Sequence, residues 1–178
     1  IGLTSSTISE NVSATSVVGL LSAVDSDTSD THTFTLANSG DSQDDDNGSF
    51  TVSGTHLIIN SSPDFETKSS YNIYINLNDG VNNFAKAFTV SVTNINEAPT
   101  GIGLTSSTIS ENVSSTWRYP NSVLGLLSAV DSDTTDTHIF SLANSGDSQN
   151  DDNGSFTVSG TQLIINSSPD FETTASYN

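Results

Sequence analysis

The segment Tyr71-Asn72-Ile73-Tyr74-Ile75-Asn76-Leu77 decides the fold class of this 178-residue chain. Tyr71, Ile73, Ile75 and Leu77 stand at every second position, a period of two that places them on one face of an extended strand. Residues 88–92 alternate between apolar and polar side chains in the same way. No segment sustains the apolar period of about 3.6 residues that an amphipathic helix requires. The sequence therefore predicts an all-β protein.

Four more apolar segments are predicted to be short buried strands, at residues 17–24, 34–36, 50–52 and 57–59. Turn sequences such as Asp46-Asn47-Gly48 and Ser53-Gly54 separate them. About seven short strands in roughly 100 residues, with turns at short intervals, are typical of an immunoglobulin-like β-sandwich.

The chain also repeats itself. Residues 1–13 recur unchanged at residues 102–114, and after a five-residue insertion the match resumes at an offset of 106. A period near 100 residues is that of a whole domain. We predict two domains, residues 1–99 with a linker at 94–100, and residues 101–178. Asn178 matches Asn72, so the second copy lacks a counterpart of residues 73–99. Either the second domain was cut there, or another chain supplies its last strands.

The charge of the chain is almost all of one sign, with 21 Asp and Glu against 3 Lys and Arg, a net charge of −18. This excludes nucleic-acid binding through a basic patch and argues against docking to anionic membranes. The chain has no cysteine, which excludes disulfides, thiol nucleophiles and thiolate metal sites. No apolar run approaches the roughly 20 residues of a membrane helix, so no membrane-spanning segment is expected.

The carboxylates are clustered at the ends of predicted strands. Because alternate strand ends lie at opposite poles of a sandwich, Glu10, Asp64 and Glu66 are expected at the linker pole of the first repeat. Asp25, Asp27 and Asp79 are expected at its free pole. With Glu97 of the linker, the first group is expected to face Asp131 and Asp133 of the second repeat. Six carboxylates at one junction require a divalent cation, and oxygen-only ligands suit Ca²⁺ better than Zn²⁺ or Mg²⁺.

The order of these motifs resembles that of cadherin repeats, and most closely the cadherin-like tandem repeats of large bacterial surface proteins. The matching motifs are Glu10-Asn11, Asp25-Ser26-Asp27, Asp64-Phe65-Glu66, Asp79-Gly80 and Asn94-Ile95-Asn96-Glu97-Ala98-Pro99. The resemblance implies tandem cadherin-type Greek-key β-sandwiches, the second one incomplete, on a cell surface. It also implies that Ca²⁺ ions stiffen the links between successive domains.

The resemblance further implies which residues bind the ions. The interdomain ligands would be the side chains of Glu10, Asp64, Glu66, Asn94, Asn96, Glu97, Asp131 and Asp133 with the carbonyls of Ile95 and Ala98. Two more groups of ligands would lie at the free pole of the first repeat and at the linker pole of the second, the latter formed by Glu111, Asp170 and Glu172. Asn94 stands where the family usually has Asp, which removes one charge.

Three functions follow as hypotheses. The first is a calcium-binding module for cell adhesion, whose partners are neighbouring repeats or identical chains. The second is a subunit of an extracellular filament in which one chain donates β-strands to the next. The third is binding of cell-surface glycans, which would need a row of exposed aromatic residues. No nucleophile elbow or zinc-protease motif occurs in the sequence, so no enzymatic activity is expected.

Two other features stand apart from these motifs. The insertion contains Trp117, Arg118 and Tyr119, an aromatic and cationic cluster of the kind found at binding hot spots, and is a candidate partner contact. Its alternative is a loop that folds back on its own domain. The three dispersed histidines, His32, His56 and His138, are predicted to be surface residues without a metal-binding role.

Overall fold

The computed structural model describes residues 1–27, 29–112, 123–144, 146 and 152–178. The chain forms two compact units, Ile1–Asn96 (unit 1) and Glu97–Asn178 (unit 2). The candidate contact residues Trp117, Arg118 and Tyr119 lie outside the described residues. No helix within the described ranges is long and apolar enough to cross a membrane.

Unit 1 is a β-sandwich of two four-stranded sheets. The strands are β1 (Gly2–Leu3), β2 (Thr7–Ser9), β3 (Val17–Ser22), β4 (Thr33–Leu36), β5 (Phe50–Ser53), β6 (His56–Ile59), β7 (Ser70–Asn78) and β8 (Asn83–Thr93). One sheet has the order β1-β3-β6-β5 and the other the order β2-β8-β7-β4. Two short 3₁₀ turns, Ser42–Asp44 and Asn47–Ser49, connect β4 to β5.

The segment before Glu10 forms two short strands, β1 and β2, which gives unit 1 eight strands instead of about seven. β1 pairs antiparallel with β3, whereas β2 pairs parallel with β8 in the other sheet. Ser5 forms the turn between them, because its hydroxyl donates to the Thr7 carbonyl at 3.0 Å and accepts from the Thr7 amide at 3.2 Å. This local hydrogen bonding lets the chain cross from one sheet to the other.

The predicted alternation of β7 is confirmed. Tyr71, Ile73, Ile75 and Leu77 are all buried, and Ile73 and Ile75 are fully so. Tyr71 packs edge-on against Phe50 of the opposite sheet, with ring centroids 5.4 Å apart. The alternating apolar residues of β7, from which the all-β fold was predicted, therefore form part of the core between the two sheets.

Gly19 marks a bulge in β3, where the pairing with β6 shifts register between Val17 and Gly19. A Cβ atom on this glycine would lie 2.7 Å from the Ser5 carbonyl oxygen, so the backbone approaches too closely for any side chain. Gly125 occupies the same position in unit 2, where a Cβ atom would lie 2.9 Å from the Ser106 carbonyl oxygen. Both repeats thus use glycine for one close backbone contact.

Unit 2 reproduces only the first of these sheets within its described residues. Its strands are β9 (Gly101–Leu104), β10 (Val123–Val130), β11 (Phe156–Ser159) and β12 (Gln162–Ile165). The order is β11-β12-β10-β9, and the pairing of β10 with β12 repeats the register shift of β3 with β6. Residues 139–142, which match β4, belong to no strand. The prediction of an all-β, immunoglobulin-like sandwich fold is confirmed.

Candidate metal centre

Three predicted ligands meet at one pole of unit 1. Glu10 directly follows β2, and Asp64 and Glu66 lie in the loop between β6 and β7. One carboxylate oxygen from each of the three lies within 4.8 Å of the others. Their sequence separation of more than 50 residues is bridged by the sandwich, because β2 and the loop after β6 end at the same pole. We call Glu10, Asp64 and Glu66 the linker-pole cluster.

Glu10 is the most constrained member of this cluster. Only 2% of its surface is exposed, although no described lysine, arginine or histidine forms a salt bridge with it, which is unusual for a carboxylate. The backbone amide of Phe65 donates to Oε2 at 2.9 Å, and the amide of Ile95 donates to Oε1 at 2.6 Å. Amide donors satisfy one lone pair on each oxygen, and each oxygen keeps a further lone pair that can coordinate a cation.

The amide of Ile95 also brings the linker to the cluster. Asn94, beside it, donates from its side-chain Nδ2 to Oε1 of Glu66 at 2.8 Å. The first two linker residues therefore contact two of the three predicted carboxylate ligands. Asn96 and Ala98 are exposed.

Asp64 is held in its ionised form by its own loop. The Thr67 amide donates to Oδ1 at 3.0 Å and the Thr67 hydroxyl to Oδ2 at 2.8 Å. The amide of Thr67, then its hydroxyl, lower the pKa of Asp64 from its ordinary value. A carboxylate that stays charged in this position is suited to bind a hard cation.

In unit 2, Asp131 and Asp133 follow β10, as Asp25 and Asp27 follow β3. Asp133 is 6% exposed and accepts a hydrogen bond from the Glu97 amide at 2.7 Å through Oδ2. Its own amide donates to Asp131 Oδ1 at 3.2 Å. Three of the predicted interdomain ligands are thereby adjacent within unit 2.

Each repeat pairs its first aspartate with a histidine that sequence reasoning assigned to the surface. His138 Nε2 lies 2.8 Å from Asp131 Oδ2, and His32 Nε2 lies 2.9 Å from Asp25 Oδ2. These hydrogen bonds are the largest cause of the lowered pKa of Asp131 and of Asp25. The spacing of seven residues between Asp and His, present in both copies, was the signal that could have revealed the pair.

At the other pole of unit 1, the structure brings Asp25 and Asp79 together with Asp30, which the sequence did not single out. Asp27 is exposed and is not part of this group. Asp79 Oδ1 accepts from the amides of Asn82 at 2.6 Å and Val81 at 2.7 Å, and these bonds lower the pKa of Asp79. Of the three predicted free-pole ligands, Asp25 and Asp79 therefore lie together, and Asp30 joins them.

The second repeat has its own version of the linker-pole cluster. Glu111, Asp170 and Glu172 bring their carboxylate oxygens within 4.8 Å of one another, and all three are exposed. The Thr173 hydroxyl, which donates to Asp170 at 2.9 Å, is the main cause of the lowered pKa of Asp170. Recurrence of the cluster in both repeats indicates that the fold itself, and not one loop, assembles these three carboxylates.

The donor set fits Ca²⁺. Every predicted ligand offers oxygen, from carboxylates, side-chain amides or carbonyls, and Ca²⁺ takes six to eight oxygen ligands in irregular geometry. No cysteine is present, so no thiolate is available to a softer metal, and two of the three histidines, His32 and His138, are hydrogen-bonded to aspartates. Glu10, Asp64 and Glu66 would hold such an ion directly.

Comparison with known proteins bears on the fold. No protein-family model matches the chain, and no curated protein does. Among solved structures, human protocadherin-24 EC1-2 (form II) is 19% identical with a TM-score of 0.64, covering 93% of this chain and 74% of that one. The structure of protocadherin gamma B2 domains 3–6 is 18% identical with a TM-score of 0.58, covering 97% and 39%. For mouse protocadherin-24 EC1-3 the identity is 18% and the TM-score 0.56, covering 98% and 52%.

These likenesses define the class of fold. The chain has the β-sandwich fold of cadherin extracellular domains, as the order of its acidic motifs implied. Identities below 20% limit this conclusion to the fold.

Proposed function

We propose that the chain is a calcium-binding extracellular module for cell adhesion, in which Ca²⁺ stiffens the link between successive sandwiches. One observation carries the proposal: the buried carboxylate of Glu10 is fixed both by the Asp64–Glu66 loop and by the linker amide of Ile95. A cation bound to this cluster would bind the sandwich and its linker at once. In the proposal, Asn96, Glu97, Ala98, Asp131 and Asp133 complete the coordination from the linker and the second repeat.

The electrostatics of the chain favour the same function. Like charges brought together on folding repel one another unless cations collect nearby. Six of the 21 acidic residues belong to the proposed interdomain site, and further groups occupy other poles. A bound divalent cation converts this repulsion into a stabilising interaction, so folding and ion binding become coupled.

Identical chains are the proposed partners, and the cell surface is the proposed location. The support for identical partners comes from protocadherin gamma B7, whose solved domains 3–6 form a cis-dimer and resemble this chain with a TM-score of 0.57 at 18% identity. Glycan binding is not proposed, because no comparison supports it.

Thermal unfolding with and without a chelator tests the proposal. At a Ca²⁺ concentration 100 times the dissociation constant, one ion stabilises the folded state by about 2.7 kcal/mol. EDTA should therefore lower the melting temperature by several degrees, and small-angle scattering should detect a broader range of interdomain angles. The variant Asp64→Asn should reduce the effect, while Asp45→Asn, which removes the same charge from an exposed loop, should leave it unchanged. Identical melting and scattering with and without EDTA would rule the proposal out.

A further inference from the structure

In unit 1, the edge of β7 that faces away from β8 is longer than the strand that covers it. β4 pairs only with residues 75–78, in a register that places Leu36 opposite Ile75. The part of β7 before Ile75 would therefore present unpaired amides and carbonyls at the edge of the sheet. Such an edge is a template on which a strand of another chain can pair. Residues 37–47, which we call the strap, cover this edge instead.

The strap bonds to β7 as a neighbouring strand would. The amide of Ala37 donates to the carbonyl of Tyr74 at 2.9 Å. The amide of Asp46 donates to the carbonyl of Asn72 at 3.1 Å, and Asp46 Oδ2 accepts from the amide of Asn72 at 2.8 Å. Asn47 Oδ1 accepts from the amide of Tyr74 at 3.0 Å. The backbone polar groups that Asn72 and Tyr74 direct to this edge are thus all bonded to the strap.

Two side-chain contacts hold the strap in place. Asn47 Nδ2 donates to the carbonyl of Ala37 at 2.7 Å, which joins the two ends of the strap. Lys68 Nζ donates to Asp46 Oδ1 at 2.6 Å and lies 5.4 Å from the centroid of the Tyr71 ring. The side chain of Asp46 is 13% exposed. One of the three basic residues of the chain is therefore paired with the carboxylate that covers the edge.

The second repeat contains the same contacts at its matching positions. Asp152, the counterpart of Asp46, accepts through Oδ2 from the amide of Asn178 at 2.8 Å. Asn153 Nδ2 donates to the carbonyl of Ala143 at 2.8 Å. Both repeats thus build these contacts from the same Asp-Asn-Gly sequence.

We propose that the strap is an autoinhibitory contact, which occupies the edge of β7 on which a second copy of this chain would otherwise pair. Two such edges related by a twofold axis can pair antiparallel, because each offers the same alternation of donors and acceptors. Four of the eleven strap residues are aspartates, so the strap also repels a second copy that approaches this edge. The inference goes beyond the calcium-dependent function, since none of the proposed calcium ligands belongs to the strap.

The test is a variant in which the strap cannot bond to the edge through its side chains, Asp46→Ala with Asn47→Ala. At low protein concentration, the amides of Asn72 and Tyr74 should exchange with solvent about tenfold faster or more than in the wild type. The amide of Ile73 should stay protected, because alternation along the strand directs it to β8.

At higher protein concentration the same variant should associate. Sedimentation velocity should show a dimer at concentrations where the wild type is monomeric, and exchange at Asn72 and Tyr74 should become slow again. The control variant, Asp45→Ala with Gln43→Ala, removes the same charge and one side-chain amide from exposed positions of the strap, and it should behave as the wild type does. All measurements are made in EDTA, so their outcome does not depend on the calcium proposal.

Three results would overturn the proposal: wild-type exchange rates at Asn72 and Tyr74 in the strap variant, a strap variant that stays monomeric over the whole concentration range, or equal association by the control. If the strap variant loses protection throughout unit 1, Asp46→Ala alone replaces it. That variant keeps the Asn47 side chain, and the same three criteria decide.

Discussion

Unit 1 and unit 2 share most of their sequence, yet they bury it differently. Leu57 is fully buried, while its counterpart Leu163 is half-buried. Phe34 is buried in β4, while its counterpart Phe140 is half-buried and lies in no strand. Local sequence therefore does not decide whether this segment forms a strand. What decides it is the presence of β7, the neighbour with which β4 pairs.

The sheet of β1, β3, β5 and β6, in contrast, has the same strand pairing in both units. Phe50 pairs with Ile59 in unit 1, and Phe156 pairs with Ile165 in unit 2 in the same register. Ile59 and Ile165 are both fully buried. The strands of this sheet lie in the part of the sequence that both repeats contain, so it forms in both. Comparison of the two units thus shows which residues the first sheet buries by itself and which are buried only when the second sheet packs on it.

The largest expected difference between the units is the stability lost when a core leucine is replaced by alanine. Leu57→Ala should destabilise unit 1 by about 2–5 kcal/mol, since a fully buried leucine leaves a cavity. Leu163→Ala should cost unit 2 about half as much, because part of the side chain is already exposed. Hydrogen exchange resolved by unit measures both. Equal losses would mean that the missing strands do not explain the difference in burial.

Substitution of the bulge glycine should affect the two units alike. Gly19→Ala and Gly125→Ala each place a methyl group within 3 Å of backbone atoms. Each should destabilise its own unit by about 1–3 kcal/mol. Denaturant unfolding followed by hydrogen exchange gives the two values. A clear inequality would show that the first sheet is not equivalent in the two repeats.

Replacing the glutamate of each linker-pole cluster by glutamine should affect the two units differently. In EDTA, Glu10→Gln should lower the stability of unit 1 by about 1–2 kcal/mol, because the new side-chain amide cannot accept from both backbone amides that contact the carboxylate. Glu111→Gln, at the matching exposed position, should change stability little. With Ca²⁺ present and no chelator, the melting temperature of Glu10→Gln should rise less than that of the wild type. If the two variants melt alike in EDTA, Glu10 is not held as described.

The smallest effect concerns pH, and it should be shared by the two units. Hydrogen bonds from His32 and His138 lower the pKa of Asp25 and Asp131 below the ordinary value of 3.8. A carboxyl whose pKa is lower in the folded state stabilises that state above pH 3.8, and the contribution disappears as the pH falls through the folded-state pKa. When the melting temperature is measured against pH in EDTA, Asp25→Asn and Asp131→Asn should each make its decrease at acid pH less steep. If the melting temperature of both variants falls at acid pH as steeply as that of the wild type, the Asp25–His32 and Asp131–His138 hydrogen bonds do not contribute as described.

The parts of the fold that follow from local patterns could be predicted from the sequence. The period-two face of residues 71–77 predicted β7, and the repeat offset predicted that the second copy contains no counterpart of residues 73–99. The presence of two separate strands, β1 and β2, before Glu10 could not be read in this way, because it depends on which strand each of them pairs with. Thr7–Ser9 is too short to carry a period of its own.

The candidate site was predictable to the extent that strand ends determine it. The meeting of Glu10 with Asp64 and Glu66 follows from the poles of a sandwich. The burial of Asp133 and the exposure of Asp27 do not, because both stand in the same Asp-Ser-Asp motif. The difference comes from the Glu97 amide, a backbone donor on which that motif carries no information. The same holds for Asp30, which reaches Asp25 and Asp79 only in three dimensions.

Calorimetric titration of Ca²⁺ into the metal-free chain tests the central claim most directly. The account predicts saturable binding that is weakened at least tenfold by combining Asp64→Asn with Glu66→Gln. The control pair Asp44→Asn and Asp45→Asn removes the same charge from the loop between β4 and β5 and should bind as the wild type does. No heat of binding in the wild type, or equal binding in both double variants, would contradict the assignment of these carboxylates as calcium ligands.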